Sequence, residues 1–233
     1  MNNKIKHLGM IMDGNRRWAK KNRLQSVLMG HEKGADKLLE ACKWCINADI
    51  PYLSVYAFST ENWNRTEEEV TGLFRLMKKF FDKELDNCIQ QGIRIKIVGN
   101  RLLFNQETLE VIENAENATA DCRKLTVNIA LSYGGRDELL RAMRRINQDI
   151  LQGKMRSEDI TEDTFKKYLD TGDCPDFDMV IRTGGNHRLS NFFPWQTVYS
   201  ELYFTDTLWP DFSQDMFNAA LAHYDSIQIN RGK

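Results

Sequence analysis

The chain has 233 residues, 42% hydrophobic and 28% charged, with a formal net charge of −1. That length suits one large α/β domain with an internal pocket, and the near-neutral balance excludes a general nucleic-acid footprint, which needs a strong basic excess. No apolar run approaches the roughly 20 residues of a membrane span, and residues 1–7 lack the apolar stretch of a secretion signal. Five cysteines at irregular spacing argue against a disulfide framework. The expectation is a cytoplasmic protein able to touch a membrane surface, and a single domain over 1–233.

In chain order, short β-rich runs alternate with helical patterns. The first run, 7–12, stops at Asp13-Gly14. A helical stripe follows through Ala35, Leu38, Leu39, Cys42, Cys45 and Ile46. Cys42 and Cys45 form a C-x-x-C, but with no second Cys/His pair to complete a zinc site they read as core cysteines. After the run 52–58, Thr66 with Glu69 three residues on reads as a capping box. It opens a helix with apolar positions Val70, Leu73, Phe74, Met77, Phe80, Phe81 and Leu85. Runs at 93–98, 125–131, 177–183 and 198–204 complete the set, and 151–160 is the best loop candidate. Near-continuous apolar runs suit strands buried on both faces. The alternation predicts an α/β fold, a mainly parallel six-stranded sheet covered by helices. Ligands collect at the carboxyl ends of such strands, and four ends carry unusual residues: 13–17, 59–65, 132–136 and 182–190.

At the first end, Asp13-Gly14-Asn15-Arg16-Arg17-Trp18 joins a strand to a helix. Gly14 permits a tight turn and close approach of a ligand. Free N–H groups at the helix start favour an anion, and Arg16 and Arg17 add charge-assisted donors for phosphate oxygens. Asp13 would repel a bare phosphate but suits a hard cation such as Mg²⁺ placed between them. The same residues also read as a helix cap with a solvated basic face out to Arg23, and the turn alone does not choose. Ser59, Asn62 and Arg65 are polar groups able to face a pocket, with Trp63 as an apolar wall, or else an ordinary polar loop. In the third segment, Arg182 and Arg188 with Ser190 flank Gly184-Gly185, a turn able to form an anion nest. The phosphate-loop pattern G-x-x-x-x-G-K-[ST] is absent. Glu201, among apolar neighbours, needs a partner if buried: a metal shared with Asp13, or an ion pair with Arg182 or Arg188.

Taken together, these segments resemble the cis-prenyltransferase family. The resemblance runs from about residue 7 to 212 and rests on five ordered motifs: residues 7–19, Gly30-His31, 56–65, 132–136, and 178–212 with Ser200-Glu201-Leu202-Tyr203-Phe204 and Leu208-Trp209-Pro210-Asp211-Phe212. It implies a parallel sheet wrapped by helices around a hydrophobic tunnel, and a homodimer. The implied reaction extends an allylic diphosphate, usually farnesyl diphosphate, with isopentenyl diphosphate units in cis, towards the undecaprenyl carrier precursor of cell-wall synthesis. A short-chain or irregular head-to-middle synthase, and a non-catalytic partner subunit, are the alternatives. By motif match, Asp13, Gly14, Asn15, Arg16, Arg17 and Trp18 hold the allylic diphosphate with His31 beside it. Ser59, Asn62, Trp63 and Arg65 shape the reaction centre, Glu69 supports it, and Arg182, Arg188 and Ser190 bind isopentenyl diphosphate. Asp13 and Glu201 share Mg²⁺. Asp13, Asn15, His31 and Asn62 form the implied catalytic set, and the base is open between the departing diphosphate and a relay through Asn15, His31 or Ser59.

Three sites depart from the family pattern. Val27 stands where an Arg is usual three residues before Gly30-His31, which should weaken allylic diphosphate binding by roughly 1.5–3 kcal/mol unless Arg23 substitutes. Asn186 replaces a carboxylate, and the arginine-rich tail is reduced to Asn230-Arg231-Gly232-Lys233.

Overall fold

The computed structural model describes residues 4–227; Arg231 lies outside them. The strands are β1 (His7–Ile11), β2 (Tyr52–Ser59), β3 (Ile93–Val98), β4 (Leu125–Tyr133), β5 (Met179–Arg182) and β6 (Glu201–Phe204). Around them lie α1 (Asn15–Lys21), α2 (Val27–Asn47), α3 (Glu67–Gln91), α4 (Gln106–Ala118), α5 (Gly135–Leu151), α6 (Glu162–Lys166) and α7 (Gln214–Ser226). The strands form one sheet in the order β3-β4-β2-β1-β5-β6, and every pairing is parallel. A parallel neighbour is reached only through a crossover; helices supply it between the earlier strands, and the irregular segment 183–200 supplies it between β5 and β6.

Because side chains alternate along a strand, the central strands feed two cores. Leu8 and Met10 join the larger one, with Leu53 and Val55 of β2 and Cys42, Cys45 and Phe81 from α2 and α3. Ile11, Val180, Phe177, Phe192 and Phe193 build the smaller one on the opposite face. Gly9 lies under the second core, where a Cβ would press on Phe177 and Phe192 at 3.0 Å. Cys42 and Cys45 are buried free thiols, and burial pushes the Cys42 thiol well up.

Two local expectations need correction. The last run forms a strand only from Glu201, because Thr197 and Ser200 are tied into a turn by Thr197 N–H to Phe193 O and Ser200 N–H to Thr197 O, each 3.0 Å. Thr66 does cap α3, its Oγ1 accepting from Glu69 N–H at 3.4 Å, but no reciprocal bond closes a capping box. The Glu69 carboxylate is drawn instead to Arg65 Nη1 at 2.9 Å and Arg16 Nε at 3.6 Å. Charge-assisted bonds outweigh a neutral cap bond.

Candidate active site at the carboxyl edge of the sheet

Strand β1 ends at Ile11, and the chain turns at Asp13-Gly14 into α1. Gly14 has φ +120°, and a Cβ there would meet Leu208 Cα at 2.9 Å, so both conformation and space require glycine. Gly14 is itself the N-cap, with no side-chain cap bond, so Asp13 is not the helix cap. Its carboxylate turns towards cations instead. Oδ1 accepts from Arg17 Nη2 at 3.0 Å; Oδ2 accepts from Arg182 Nη2 at 3.1 Å and Asn186 Nδ2 at 2.8 Å. Burial opposes the charge on Asp13, but the bonds from Asn186, Arg182 and Arg17 prevail and hold the carboxyl below its ordinary range. Asn186 therefore acts on Asp13 itself.

Arg182, the last residue of β5, is buried and joins the segments. Its Nη1 donates to Ser190 Oγ at 2.7 Å and to the Arg188 carbonyl, and Arg188 Nε donates to the same hydroxyl at 3.2 Å. The turn that brings Ser190 and Asn191 here has φ +51° and +68°. Such left-handed values at non-glycine residues are held by their surroundings and concentrate at functional sites. Arg182, Arg188 and Ser190 thus form one hydrogen-bonded cluster.

Two adjoining cavities open at this edge. The smaller, about 390 Å³, is lined by Asp13, Gly14, Asn15, Arg16, Arg17, Lys20, His31 and Arg65. Lys20 was missed in the sequence; its signal is the i,i+4 spacing from Arg16 on α1. The larger, about 750 Å³, shares Asp13, Asn15, His31 and Arg65 and adds Ser59, Asn62, Arg182, Arg188 and Ser190. Beyond this polar mouth its walls are Leu38, Phe58, Leu73, Phe74, Leu76, Met77, Phe80, Phe81, Ile129 and Leu131. The apolar stripe of α3 thus faces a void as well as the core, which explains why Leu73, Phe74, Met77 and Phe80 are only partly buried.

Within the mouth, Asn15 reaches past α2 because Gly30 and Gly34 leave room; a Cβ at either would run into Asn15. Asn15 Oδ1 and His31 Nε2 are buried there without a hydrogen-bond partner. Burial, then the charges of Arg65 and Arg16, lower the His31 pKa to about 4, so the ring is neutral at pH 7. Asn62 Oδ1 accepts from Ser59 N–H at 3.1 Å, which pins the 3₁₀ turn Thr60–Asn64 at the rim. Glu69, 9% exposed, links α1 to α3 through Arg16 and Arg65.

Four expected residues lie elsewhere. Trp18 lines neither cavity; its indole Nε1 donates to Asp211 Oδ1 at 2.6 Å. Trp63 stands one layer back, stacked on Phe74 at 5.4 Å and bonded through Nε1 to Ser132 Oγ at 2.9 Å. Arg23 lines neither cavity, so it does not substitute at Val27. Glu201 pairs with Met179 at the start of β5, in register with Leu8, and so is five positions back from Asp13, roughly 16 Å along the strand direction. Within one chain the two carboxylates do not meet, and among the described residues no group of three His, Cys, Asp or Glu side chains could hold a metal. The strand end at 132–136 braces its neighbour. Gly135 N–H and Arg136 N–H donate to the Asn191 carbonyl and Oδ1, both at 2.9 Å, which braces the Ser190 turn.

A model of the family described as putative undecaprenyl diphosphate synthase matches residues 11–232. The isoprenyl transferase of Neisseria gonorrhoeae is 44% identical over 228 residues, covering 98% of this chain and 89% of the relative. That of Aquifex aeolicus is 40% identical over 227 residues, covering 97% and 95%. Among solved structures, lavandulyl diphosphate synthase from Lavandula x intermedia, in complex with dimethylallyl diphosphate, matches with a TM-score of 0.94 at 32% identity over 99% of both chains. A probable undecaprenyl diphosphate synthase from Campylobacter jejuni matches with a TM-score of 0.83 at 31% identity, covering 99% and 100%.

Proposed function

Because the chain belongs to the undecaprenyl diphosphate synthase family of isoprenyl transferases, we propose that it condenses isopentenyl diphosphate with an allylic diphosphate, farnesyl diphosphate foremost, into a long cis-polyprenyl diphosphate of the undecaprenyl class. One observation carries this reading: a cation-rich mouth around Asp13 opens directly into a deep apolar cavity. That pairing suits a substrate with a diphosphate head and a hydrocarbon tail.

In this reading Arg16, Arg17, Lys20 and Arg65 take the allylic diphosphate in the smaller cavity, and Arg182, Arg188 and Ser190 take isopentenyl diphosphate. As the allylic C–O bond breaks, negative charge grows on the leaving diphosphate. Prepositioned guanidinium donors stabilise that charge more than the ground state. The wall from Leu38 to Phe81 keeps water from the allylic cation, which water would quench. The isopentenyl double bond attacks, and a proton leaves its C2. His31, with a pKa of about 4, is a weak base at neutral pH; the departing diphosphate is the better acceptor, and His31 serves as a neutral hydrogen-bond partner to phosphate.

The mouth fits Mg²⁺ at Asp13, since one partly exposed carboxylate suits a cation whose remaining ligands are phosphate oxygens and waters. When bound, it would supply Lewis-acid neutralisation of the diphosphate charge. Glu201 of the same chain does not fit that position.

The functional unit in this reading is a homodimer in the cytoplasm. Exposed apolar side chains on α5 (Leu140, Met143) and around the edge strand β6 (Val198, Tyr199, Leu202) support an interface there. Among the described residues no helix is long and apolar enough to cross a membrane. A long prenyl product must nevertheless pass into lipid, so peripheral membrane contact belongs to the reading.

Purified protein supplied with farnesyl diphosphate, radiolabelled isopentenyl diphosphate and Mg²⁺ should yield stepwise elongated linear products. Absence of elongation with every allylic primer would contradict the reading. The likeness to lavandulyl diphosphate synthase over 99% of both chains favours a second reading, an irregular head-to-middle coupling, which a branched product would identify.

A further inference from the structure

The polar groups of the mouth come from strands that are not neighbours. Ser59 and Asn62 lie at and beyond the end of β2, whereas Arg188 and Ser190 follow β5, and β1 lies between those strands in the sheet. No strand pairing fixes one set against the other. The segment after β5 reaches across instead. Asn191 accepts from Gly135 N–H at its backbone carbonyl and from Arg136 N–H at Oδ1, both at 2.9 Å, at the start of the helix that follows β4. Its amide Nδ2 then donates to Glu61 Oε1 at 3.1 Å, in the 3₁₀ turn Thr60–Asn64.

Gly134 makes room for this junction, since a Cβ there would meet Thr60 Oγ1 at 2.5 Å and Asn191 Nδ2 at 3.0 Å. Asn191 holds φ +68°, a left-handed value that asparagine tolerates better than most residues. One residue next to Ser190 in the chain is thus braced on the β4 end and bonded to the turn that carries Asn62. Ser59, Glu61, Asn62, Ser190 and Asn191 all line the larger cavity.

We infer that Asn191 is a positioning residue whose bond to Glu61 couples the Arg182, Arg188 and Ser190 cluster to the turn carrying Ser59 and Asn62, so that isopentenyl diphosphate binding and alignment of the reaction centre depend on each other. The inference rests on the condensation proposed above. Glu61 is exposed, so the bond adds little to folding stability. Its effect is on alignment, where a displacement of about 1 Å can cost about 10²-fold in rate.

The test reverses the bond. In Asn191→Asp a carboxylate faces Glu61, while Oδ1 can still accept from Arg136 N–H. Adding Glu61→Gln returns an amide donor from the other side. Unmodified protein, both single variants, the double variant and Glu61→Ala are compared in kinetics with isopentenyl diphosphate varied, in affinity for a non-reactive farnesyl thiodiphosphate, and in thermal melts. Asn191→Asp and Glu61→Ala should raise the KM for isopentenyl diphosphate and lower kcat, together about tenfold or more in kcat/KM, with farnesyl thiodiphosphate affinity unchanged. Glu61→Gln alone should stay near unmodified protein, because its amide oxygen still accepts from Asn191. The double variant should recover most of what Asn191→Asp loses, the non-additivity that marks a direct bond. Additive effects of the two substitutions, or an unchanged kcat/KM in folded Glu61→Ala, would overturn the inference. Failure of unmodified protein to condense the two substrates would instead overturn the proposed function, and the inference with it.

Discussion

Two histidines, one at each end of the sheet, show how differently the same burial can be used. His7, at the amino end of β1, is fully buried, and both ring nitrogens are engaged: Nδ1 with Pro175 O and Nε2 with Ser54 Oγ, each at 2.7 Å. Asn128 Nδ2 continues the chain to Ser54 Oγ at 3.0 Å, and the His7 ring stacks on Phe177 at 3.9 Å. His31, near the carboxyl ends, is also pushed down to about 4 by burial, as His7 is. Its Nε2, however, has no partner, and the residue lines both cavities of the mouth. An unsatisfied buried polar atom costs about 1–3 kcal/mol. At the amino end the polar groups close on one another; Asn128 Oδ1 is left over there but lines neither cavity of the mouth. At the carboxyl end Asn15 Oδ1, His31 Nε2 and Arg182 Nε stay open around a void, an arrangement that a ligand with many acceptor and donor sites would complete.

The contrast can be broken by substitution. The largest effect is expected from Asp13→Ala, which removes the carboxylate joining Arg17, Arg182 and Asn186: kcat should fall by about 10²–10³-fold or more, with dimerisation and thermal unfolding retained. Survival of turnover would show that Asp13 is not the charge centre. His7→Ala and His31→Ala should then separate. The first loses two buried hydrogen bonds and a stacked ring and should cost about 3 kcal/mol in urea unfolding. The second should change stability little and lower kcat/KM about tenfold or more through a lost phosphate contact. Equal stability losses would show that the two histidines are held alike.

Acid should act on both ends alike. Both histidines have folded pKa values near 4, below the unfolded value of about 6.5. Between these values the unfolded chain holds the proton and the folded chain does not, so stability rises with pH across that window and is lost as pH falls towards 4. Each site contributes a slope of about 1.4 kcal/mol per pH unit. His7→Gln should remove one of the two contributions, measured as urea midpoints from pH 4 to 7. The smallest effect belongs to Trp18→Phe. Losing the indole bond to Asp211 should cost about 1 kcal/mol of stability and leave both substrate KM values unchanged; a raised KM would return Trp18 to the site.

Much of this was legible in the sequence because it depends on local pattern. The six strands, their parallel pairing and the α3 stripe follow from apolar runs and helical periodicity. The clusters at Asp13 and at Arg182, Arg188 and Ser190 follow from strand-end position. What local pattern does not carry is direction and level. Glu201 looks like a partner for Asp13 until register places it beside Leu8 rather than beyond Ile11. Trp18 and Trp63 sit in the right motifs, yet their indole N–H groups find Asp211 and Ser132, and neither residue lines the reaction cavity. Asn186 read as the loss of a carboxylate near one substrate, whereas its amide is the shortest hydrogen bond on the Asp13 carboxylate.

In the proposed function, Asp13, held by Arg17 and Arg182, is the receptor for a magnesium-linked diphosphate at the mouth of an apolar cavity. The most direct measurement is calorimetric titration of a non-reactive farnesyl thiodiphosphate, with and without Mg²⁺, into unmodified protein and Asp13→Ala. Unmodified protein should bind more tightly when Mg²⁺ is present, and Asp13→Ala should lose that enhancement. An enhancement of equal size in both proteins would contradict the claim.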